Sequence, residues 1–290
     1  MHQSPPPLRK GSSVAIVSPS GPLDQHDAEA VERGCESLRS YGWEPQVIGP
    51  RRRAPAPPYL AATDSGRRGS LRRALREFDA VVFSRGGYGS ARLLEGSGWD
   101  IEGPWMMGFS DATALLWARY RAGLLGGVHG PCAKDFATDP QWSLDRAAAL
   151  LSGMSIESLR LTHLCGPATK VSGPIIAGNL TVACSLLATP HMPDTTGHIL
   201  VLEDVNEPPY KVDRMLTQWR LAGRLGSVAA VVFGVFDAVP KPDTYEVLLE
   251  RTDDLGIPVY CTIDVGHHGV CAALPIGRSA SISRSRLVLA

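Results

Sequence analysis

The sequence predicts an α/β protein of two domains. The first is a Rossmann- or flavodoxin-like parallel sheet, and the second is a smaller, mixed α/β domain rich in strands. Short apolar runs without polar alternation are separated by helical segments through the first half, which is typical of a parallel sheet covered on both faces. Strand-like segments become more frequent towards the end of the chain. We expect the first domain over 1–150, a linker over 151–170 and the second domain over 171–290.

In the first domain, the apolar run 12–17 predicts a buried strand, and apolar residues at helical spacing predict a helix over 28–41. Gly42 ends that helix, as glycine commonly does just past a helix C-terminus. The later elements are expected as strands over 44–48, 80–83, 105–108 and 126–129, with helices over 70–78, from Ser90 and after Ser110.

In the second domain, an apolar strand around Ile175 and Ile176 leads into a helix that runs to Leu187. An amphipathic helix is predicted over 212–222. Further strands are expected over 198–202, 228–233 and 258–261, and the terminal segment 280–288 is strand-like with some alternation. Segment 152–165 has no strong periodicity, so we expect a connector there.

Composition excludes several classes of function. Of 290 residues, 29 are basic and 29 acidic, so charge gives no reason to expect a nucleic-acid partner. The arginine clusters at Arg51–Arg53 and between Arg67 and Arg76 indicate a surface loop and a solvated helix face. The first apolar run is too short for a signal segment or a membrane span, which predicts a cytoplasmic protein without a membrane partner. Six scattered cysteines without a CxxC pair predict reduced thiols, not a disulfide framework or a zinc site.

Ser110 is the first candidate for chemistry. An apolar strand ends at Gly108, and the chain turns through Ser110 into a helix-forming run. A serine on such a strand-to-helix turn projects its hydroxyl away from the sheet, close to the backbone N–H groups of the helix N-terminus. The alternative is a helix N-cap, because Ser110, Asp111 and Thr113 are all residue types that cap helices.

A glycine-rich turn over 85–92 follows the strand that ends at Phe83. Gly87 and Gly89 fit the start of the dinucleotide fingerprint, but Arg92 stands where the third glycine is needed and no P-loop lysine is present. We therefore expect no nicotinamide cofactor. Glycines at such a turn still expose backbone N–H groups, so one interpretation is an oxyanion site and the other is an ordinary tight turn.

Glu203 stands at the carboxyl end of an apolar strand, where ligands and catalytic groups gather in α/β sheets. The alternative is a loop acid that pairs with Lys211 or Arg214. His267 and His268 lie in a glycine-flanked loop near the C-terminus. Two adjacent histidines lack the spacing of a metal motif, so no metal site is expected there.

In their order along the chain, these motifs resemble the serine LD-carboxypeptidase family, the muramoyltetrapeptide carboxypeptidases. The similarity extends over nearly the whole chain, and six or more motifs in register make it specific. The matching segments are 14–22, the glycine-rich motif 85–89 with 92–94, the turn 108–115, His129-Gly130-Pro131, 178–180, 202–205, 213–216 and Gly266-His267.

The resemblance implies a Ser-His-Glu triad. Ser110 would be the nucleophile, His267 the general base and then acid, and Glu203 the group that orients the imidazole. The family places its histidine directly after the glycine, which favours His267 over His268, and Glu207 competes less strongly with Glu203 because it lies beyond the strand end. The triad would meet in a groove between the two domains.

The resemblance also implies an oxyanion hole. Its two donors would be the backbone N–H of Asp111 and that of Gly87 or Gly86. A carboxypeptidase must also bind the terminal carboxylate of its substrate, and Arg85 is our candidate because a guanidinium can hold both oxygens. The alternative for Arg85 is a salt bridge that supports the loop.

The implied activity is hydrolysis of the bond to the terminal D-alanine of murein tetrapeptide, during peptidoglycan recycling in the cytoplasm and without a cofactor. A relative inside the family instead cleaves microcin C-type peptidyl-nucleotides for self-immunity. An α/β-hydrolase-type esterase is disfavoured, since Ala112 stands where its G-x-S-x-G turn has glycine. A non-catalytic binding protein is disfavoured by the complete triad. Family members are often homodimers, so we expect a homodimer.

Overall fold

The structure is a computed structural model that describes residues 4–49, 55–236, 242–268 and 270–290. Within these ranges, α-helices connect the strands of two β-sheets, one of six strands and one of eight. This mixed α/β architecture, with one parallel-rich sheet, confirms the predicted fold class. The domain boundaries given above stay predictions. None of the helices in the described ranges is both long and apolar enough to cross a bilayer.

The first half of the chain builds the parallel-rich sheet. Its strands are β1 (Ser13–Val17), β2 (Glu44–Ile48), β3 (Ala80–Phe83), β4 (Trp105–Gly108) and β5 (Gly127–His129). Its helices are α1 (Gln25–Ser40), α2 (Asp64–Glu77), α3 (Thr113–Arg121) and α4 (Gln141–Leu151). The segment expected to form a helix from Ser90 is a short 3₁₀ turn, Ala91–Glu95.

The second half builds the eight-stranded sheet. Its strands are β6 (Leu159–Arg160), β7 (Thr162–Cys165), β8 (Val171–Asn179), β9 (Ile199–Glu203), β10 (Ala230–Phe233), β11 (Val259–Cys261), β13 (Ser279–Ser283) and β14 (Arg286–Leu289). Its helices are α5 (Leu180–Leu186), α6 (Pro209–Leu221) and α7 (Pro242–Glu250). Strand β12 (Leu274–Pro275) belongs to the first sheet instead.

Strand order in the first sheet is 2-1-3-4-5, the flavodoxin-like order, and all of these neighbours are parallel. Strand β12 then adds to β5 in the antiparallel sense, so the C-terminal part of the chain returns to this sheet. The carboxyl ends of β1, β3 and β4 share one edge of the sheet. Ligand sites of open α/β sheets lie at this edge.

The second sheet has the order β6-β14-β13-β8-β9-β10-β11-β7, with four parallel strands from β8 to β11 and antiparallel strands on either side. The connector expected over 152–165 is wrong in part, because β6 and β7 lie there as edge strands. The strand expected over 280–288 is a hairpin that turns at Arg284 and Ser285, whose φ angles are 48° and 55°. Such turns usually contain glycine or asparagine, so this sequence gave no turn signal.

The arginine-rich helix α2 has the predicted solvated face at Arg72 and Arg76, which are exposed, but not at Arg67. Arg67 is buried, and its guanidinium donates to the carbonyl oxygens of Pro19, Ala62 and Gly89 and to the carboxylate of Asp64. A guanidinium carries five N–H donors, so it can be buried where carbonyl oxygens accept them. Arg67 therefore links the loops after β1 and β3. The cluster Arg51–Arg53 lies outside the described residues.

Candidate active site

Ser110 lies on a strained turn between β4 and α3. Its φ angle is +60°, a left-handed conformation that residues other than glycine rarely adopt. The turn is tight, because a Cβ on Gly108 would lie 3.0 Å from the Cβ of Phe83 and 3.1 Å from that of Ala112. The N-cap residue of α3 is Ala112, so Ser110 does not cap this helix. The half-buried hydroxyl is held at the carboxyl edge of the sheet instead.

The glycine-rich loop after β3 lies directly against this turn. A Cβ on Gly86 would lie 2.8 Å from both Cβ and Oγ of Ser110. Gly87 has a φ of +118°, and a Cβ there would approach the backbone N of Gly21 to 3.1 Å. Both glycines are therefore required by close approach, and the loop expected to supply an oxyanion donor is brought to the serine.

The side chain of Asp111 joins the same two segments. It is buried, and its carboxylate accepts a hydrogen bond from the backbone N–H of Ser90 at 2.8 Å. The sequence pointed only to the backbone N–H of Asp111 as an oxyanion donor. The tie between the carboxylate and Ser90 crosses 21 positions, and no local pattern signals it.

Glu203 and His267 form a hydrogen-bonded pair, in which the acid is fully buried and the imidazole is partly exposed. The Nδ1 of His267 lies 2.6 Å from Oε2 of Glu203, whose side chain is fully buried at the end of β9. Burial by itself lowers the pKa of His267, but the hydrogen bond and charge of Glu203, with the charges of Asp204 and Asp135, outweigh it and raise the pKa above its usual value. The imidazole therefore has its orientation fixed at Nδ1 and its proton affinity raised.

The competing residues lie elsewhere. Lys211, offered as an alternative partner of Glu203, pairs with Glu207 at 3.1 Å between Nζ and Oε2. His268, next to His267, is exposed. Among the hydrogen bonds of the described residues, the one that joins a candidate histidine to a candidate acid is that between His267 and Glu203.

Two glycines that sequence reasoning did not single out for packing hold the loops of this pair together. A Cβ on Gly234, just after β10, would lie 2.3 Å from the carbonyl oxygen of Val265 and 2.9 Å from Cβ of Glu203. A Cβ on Gly266 would lie 2.8 Å from Cβ of Val235. The loop that carries His267 thus packs closely on the loop after β10, with Glu203 beneath it.

Helix α3 joins the two sheets. The hydroxyl of Thr113 accepts a hydrogen bond from the backbone N–H of Asn179 at 2.9 Å, and Asn179 is the register neighbour of Glu203 across β8 and β9. Gly178 permits this approach, since a Cβ there would lie 2.6 Å from Cγ2 of Thr113. The helix that follows Ser110 is therefore fixed beside the strand that carries Glu203.

Phe109 completes the junction. Its ring contacts the ring of His267 edge to face, with centroids 4.7 Å apart. The residue before Ser110 therefore touches the imidazole, and the three predicted triad residues come into one region. In the described ranges, no hydrogen bond joins Oγ of Ser110 to His267.

Arg85 lies in an ion-pair network beside the glycine-rich loop. Its Nη1 donates to the carboxylate of Asp27 and to the carbonyl oxygen of Pro22, the latter at 3.3 Å. Lys134 also contacts Asp27, at 3.2 Å. The structure thus provides a partner for the salt-bridge interpretation, and binding of a substrate carboxylate by Arg85 stays a prediction.

Sequence comparison identifies the family. The profile of the LD-carboxypeptidase N-terminal domain matches residues 14–130, and that of the LD-carboxypeptidase C-terminal domain matches residues 172–282. A Synechocystis sp. protein that carries a carboxypeptidase name is 40% identical over 288 residues, covering 96% of this chain and 93% of the relative. The murein tetrapeptide carboxypeptidase of Pseudomonas aeruginosa is 34% identical over 254 residues, covering 79% of this chain and 81% of that protein.

Structure comparison agrees with this assignment. The solved apo structure of the microcin C7 self-immunity protein MccF has a TM-score of 0.87 at 22% identity, covering 99% of this chain and 98% of that one. At that identity the likeness concerns the fold alone. The two matched domain profiles and the relatives above 30% identity decide the family: the chain belongs to the LD-carboxypeptidases and is a serine-type peptidase.

Proposed function

We propose that the protein hydrolyses the L,D-peptide bond to the terminal D-alanine of murein tetrapeptide, through an acyl-enzyme on Ser110. The observation that carries this proposal is the hydrogen-bonded Glu203–His267 pair, packed through Phe109 against the strained Ser110 turn. The 34% identity to a murein tetrapeptide carboxypeptidase supports the substrate class. Cytoplasmic location and a homodimeric state stay predictions of the family resemblance.

In the proposed reaction, Oγ of Ser110 attacks the scissile carbonyl carbon while Nε2 of His267 takes the hydroxyl proton. The tetrahedral intermediate collapses when His267 returns that proton to the amine of the leaving D-alanine. Water then attacks the acyl-enzyme, with His267 again as the base, and releases the tripeptide and Ser110. Throughout, the Nδ1–H of His267 keeps its hydrogen bond to the carboxylate of Glu203. That bond fixes the tautomer of the imidazole and stabilises the imidazolium.

The oxyanion of both tetrahedral intermediates requires donors that are already in place. We assign the backbone N–H of Asp111 and that of Gly87 or Gly86 to this role. The fit of Gly86 against Ser110 and the tie between Asp111 and Ser90 support the assignment, because they fix the loop and the turn relative to each other. Preorganised donors lower the barrier because they need not rearrange when charge develops.

Arg85 is our proposed ligand for the terminal carboxylate of the substrate. Its side chain keeps 30% of its surface exposed while one nitrogen is held by Asp27. Substitution by alanine should raise KM and leave kcat nearly unchanged, because the carboxylate is bound equally in the ground state and transition state. If Arg85→Ala has unchanged KM and kcat, Arg85 does not bind the substrate and serves only in the salt bridge with Asp27.

The decisive experiment is an assay of the purified protein with murein tetrapeptide and, in parallel, with a microcin C-type peptidyl-nucleotide. We expect release of D-alanine from the first and slow or no cleavage of the second. Ser110→Ala should lose turnover by about a millionfold. Ser185→Ala, which removes an exposed hydroxyl of α5, is the matched control and should behave as wild type.

The possible results separate the alternatives. Cleavage of the peptidyl-nucleotide alone would assign a self-immunity type of activity. Labelling of Ser110 by a fluorophosphonate, read by mass spectrometry, tests the nucleophile without any choice of peptide. Hydrolysis of neither substrate, with Ser110 unlabelled, would overturn the proposed function.

A further inference from the structure

Glu203 uses only one of its two carboxylate oxygens in the pair with His267. Oε2 accepts from Nδ1 of His267, while Oε1 is buried and has no hydrogen-bond partner within the described ranges. Buried carboxylate oxygens are normally hydrogen-bonded, because an unmet acceptor loses the water it had in the unfolded chain. The pair therefore needs one more donor.

His129 is a second buried group without partners. It lies at the end of β5, is fully buried, and neither of its ring nitrogens has a partner among the described residues. Its ring lies 6.3 Å from that of Phe109, whose other neighbour is the ring of His267. One phenylalanine ring thus separates His129 from His267, whose Nδ1 carries the hydrogen bond to Glu203.

The protonation of His129 suits it to donate one hydrogen bond. Burial lowers its pKa to about 4, with Glu203 opposing and His267 adding to the shift. A neutral imidazole carries one N–H donor and one bare nitrogen. His129 can therefore donate to a neighbouring acceptor at neutral pH without bringing a second positive charge beside His267.

We propose that the N–H of His129 donates to one buried water, which donates in turn to Oε1 of Glu203. This inference rests on the proposed function, because it gives His129 a role as a positioning residue that acts through Glu203 on His267. A bridging water would satisfy both groups, since each is fully buried, the charge of Glu203 acts on His129, and no direct hydrogen bond joins them within the described ranges. Oε1 and Oε2 would then both be held, which fixes the plane of the carboxylate.

Other groups near Glu203 are weaker candidates. The thiol of Cys271 is buried and coupled to the charge of Glu203, but a thiol is a poor donor. The carboxylates of Asp135 and Asp139 already accept from the backbone N–H of Cys132 and Cys271. Cys271→Ala therefore serves as the control for the loss of another buried polar side chain that the charge of Glu203 acts on.

The kinetic test compares His129→Leu with His129→Gln, whose amide can still donate. We expect His129→Leu to lower kcat by about 10- to 100-fold with KM nearly unchanged, as losses of such supporting hydrogen bonds do. His129→Gln should recover most of that loss, and Cys271→Ala should lie near wild type. Equal losses in the leucine and glutamine variants would overturn the proposal.

The pH profile gives a readout that packing alone would not move. The charged groups acting on His267 are Glu203, Asp204 and Asp135. Removing the donor to Oε1 leaves more charge on the oxygen that faces His267, so the acidic limb of kcat/KM should move to higher pH in His129→Leu and return in His129→Gln. A limb that stays in place in both variants would also overturn the proposal.

A measurement without substrate separates this inference from the proposed function. The ¹⁵N imidazole spectrum of the wild type should show His129 neutral at pH 5, and the Nδ1–H resonance of His267 should shift in His129→Leu and not in Cys271→Ala. If the peptide assays fail but this shift is seen, the function is wrong and the positioning holds. If His129→Leu does not fold, His129→Phe replaces it, since its ring fills a similar space and has no hydrogen-bond donor.

Discussion

The two sides of the active site are built by different means. On the nucleophile side, Ser110 is held by backbone conformation and by glycines that let one loop approach another. On the base side, Glu203 and His267 are held by a buried charge and a hydrogen bond of 2.6 Å. The position of Ser110 therefore depends on the space that the glycines leave, and the position of His267 depends on the charge of Glu203. Substitutions that change only one of these properties should therefore affect the two sides differently.

The largest expected effect in this comparison is on the base side. Glu203→Gln keeps the volume and removes the charge, and its amide favours the wrong tautomer of His267. We expect kcat to fall by about 10,000-fold, as in other triads that lose the carboxylate. Steady-state kinetics with murein tetrapeptide measure the loss, and a circular dichroism spectrum checks the fold.

Glu207→Gln is the matched control for that change. Glu207 lies four residues further along and pairs with Lys211, so its loss removes a salt bridge outside the triad. We expect kinetics close to wild type. A deep loss in Glu207→Gln together with a small one in Glu203→Gln would show that the wrong carboxylate has been assigned.

On the nucleophile side, Gly87→Val changes volume and leaves every charge in place. Its side chain would press on Gly21 and disfavour the φ of +118°, which would displace the N–H assigned to the oxyanion. We expect turnover to fall by about 100- to 1,000-fold, the usual effect of one lost oxyanion donor. Single-turnover acylation of Ser110 measures it directly.

Gly69→Ala on α2 is the control for Gly87→Val. Among the residues that the structure describes, no atom lies within 4 Å of a Cβ at this position, so the variant should keep wild-type turnover. Normal turnover in Gly87→Val would exclude Gly87 as an oxyanion donor.

The same contrast explains how much the sequence could predict. The Ser110 turn is local, because the sequence indicates it within a dozen residues by a strand, a glycine, a serine and a helix in succession. The Glu203–His267 pair spans 64 positions, and residue patterns alone offered two acids and two histidines. The family resemblance selected among them, and the packing of the loops after β10 and β11 brings that acid and that histidine into contact.

The features that the sequence did not predict also depend on contacts between distant parts of the chain or lack a local pattern. Burial of Arg67 depends on carbonyl oxygens from three separate loops, one of them 48 positions away. Edge strands β6 and β7 are two and four residues long and Leu159 is their single buried residue, so they lack an apolar pattern. The need for Gly234 arises only when two distant loops meet, which a single glycine in a sequence does not indicate.

Gly234→Ala tests whether the base side also depends on space. Its Cβ would lie 2.3 Å from the carbonyl of Val265, so the loop that carries His267 must shift. A displacement of this kind lowers kcat by up to about 100-fold. Gly226→Ala, whose Cβ would lie 4.0 Å from its nearest neighbour among the described residues, is the control. If both variants have wild-type kcat, the base side depends on charge alone.

The smallest effect isolates charge without volume. The charge of Asp135 favours the imidazolium of His267, so Asp135→Asn should move the acidic limb of kcat/KM down by roughly half a pH unit. The amide oxygen can still accept from the backbone N–H of Cys132, which preserves the local turn.

The shape of this shift is diagnostic because Asp135 itself titrates. Burial raises its pKa to about 7, with Asp139 adding to the shift, so the carboxylate is charged only around and above neutrality. The wild-type and Asp135→Asn profiles should therefore differ most near pH 7 and converge in acid, where both side chains are neutral. Asp253→Asn, on the exposed turn after α7, should leave the limb unmoved. Parallel profiles displaced by the same amount at every pH would mean that the substitution acts through packing, and the base side would then respond to space as the nucleophile side does.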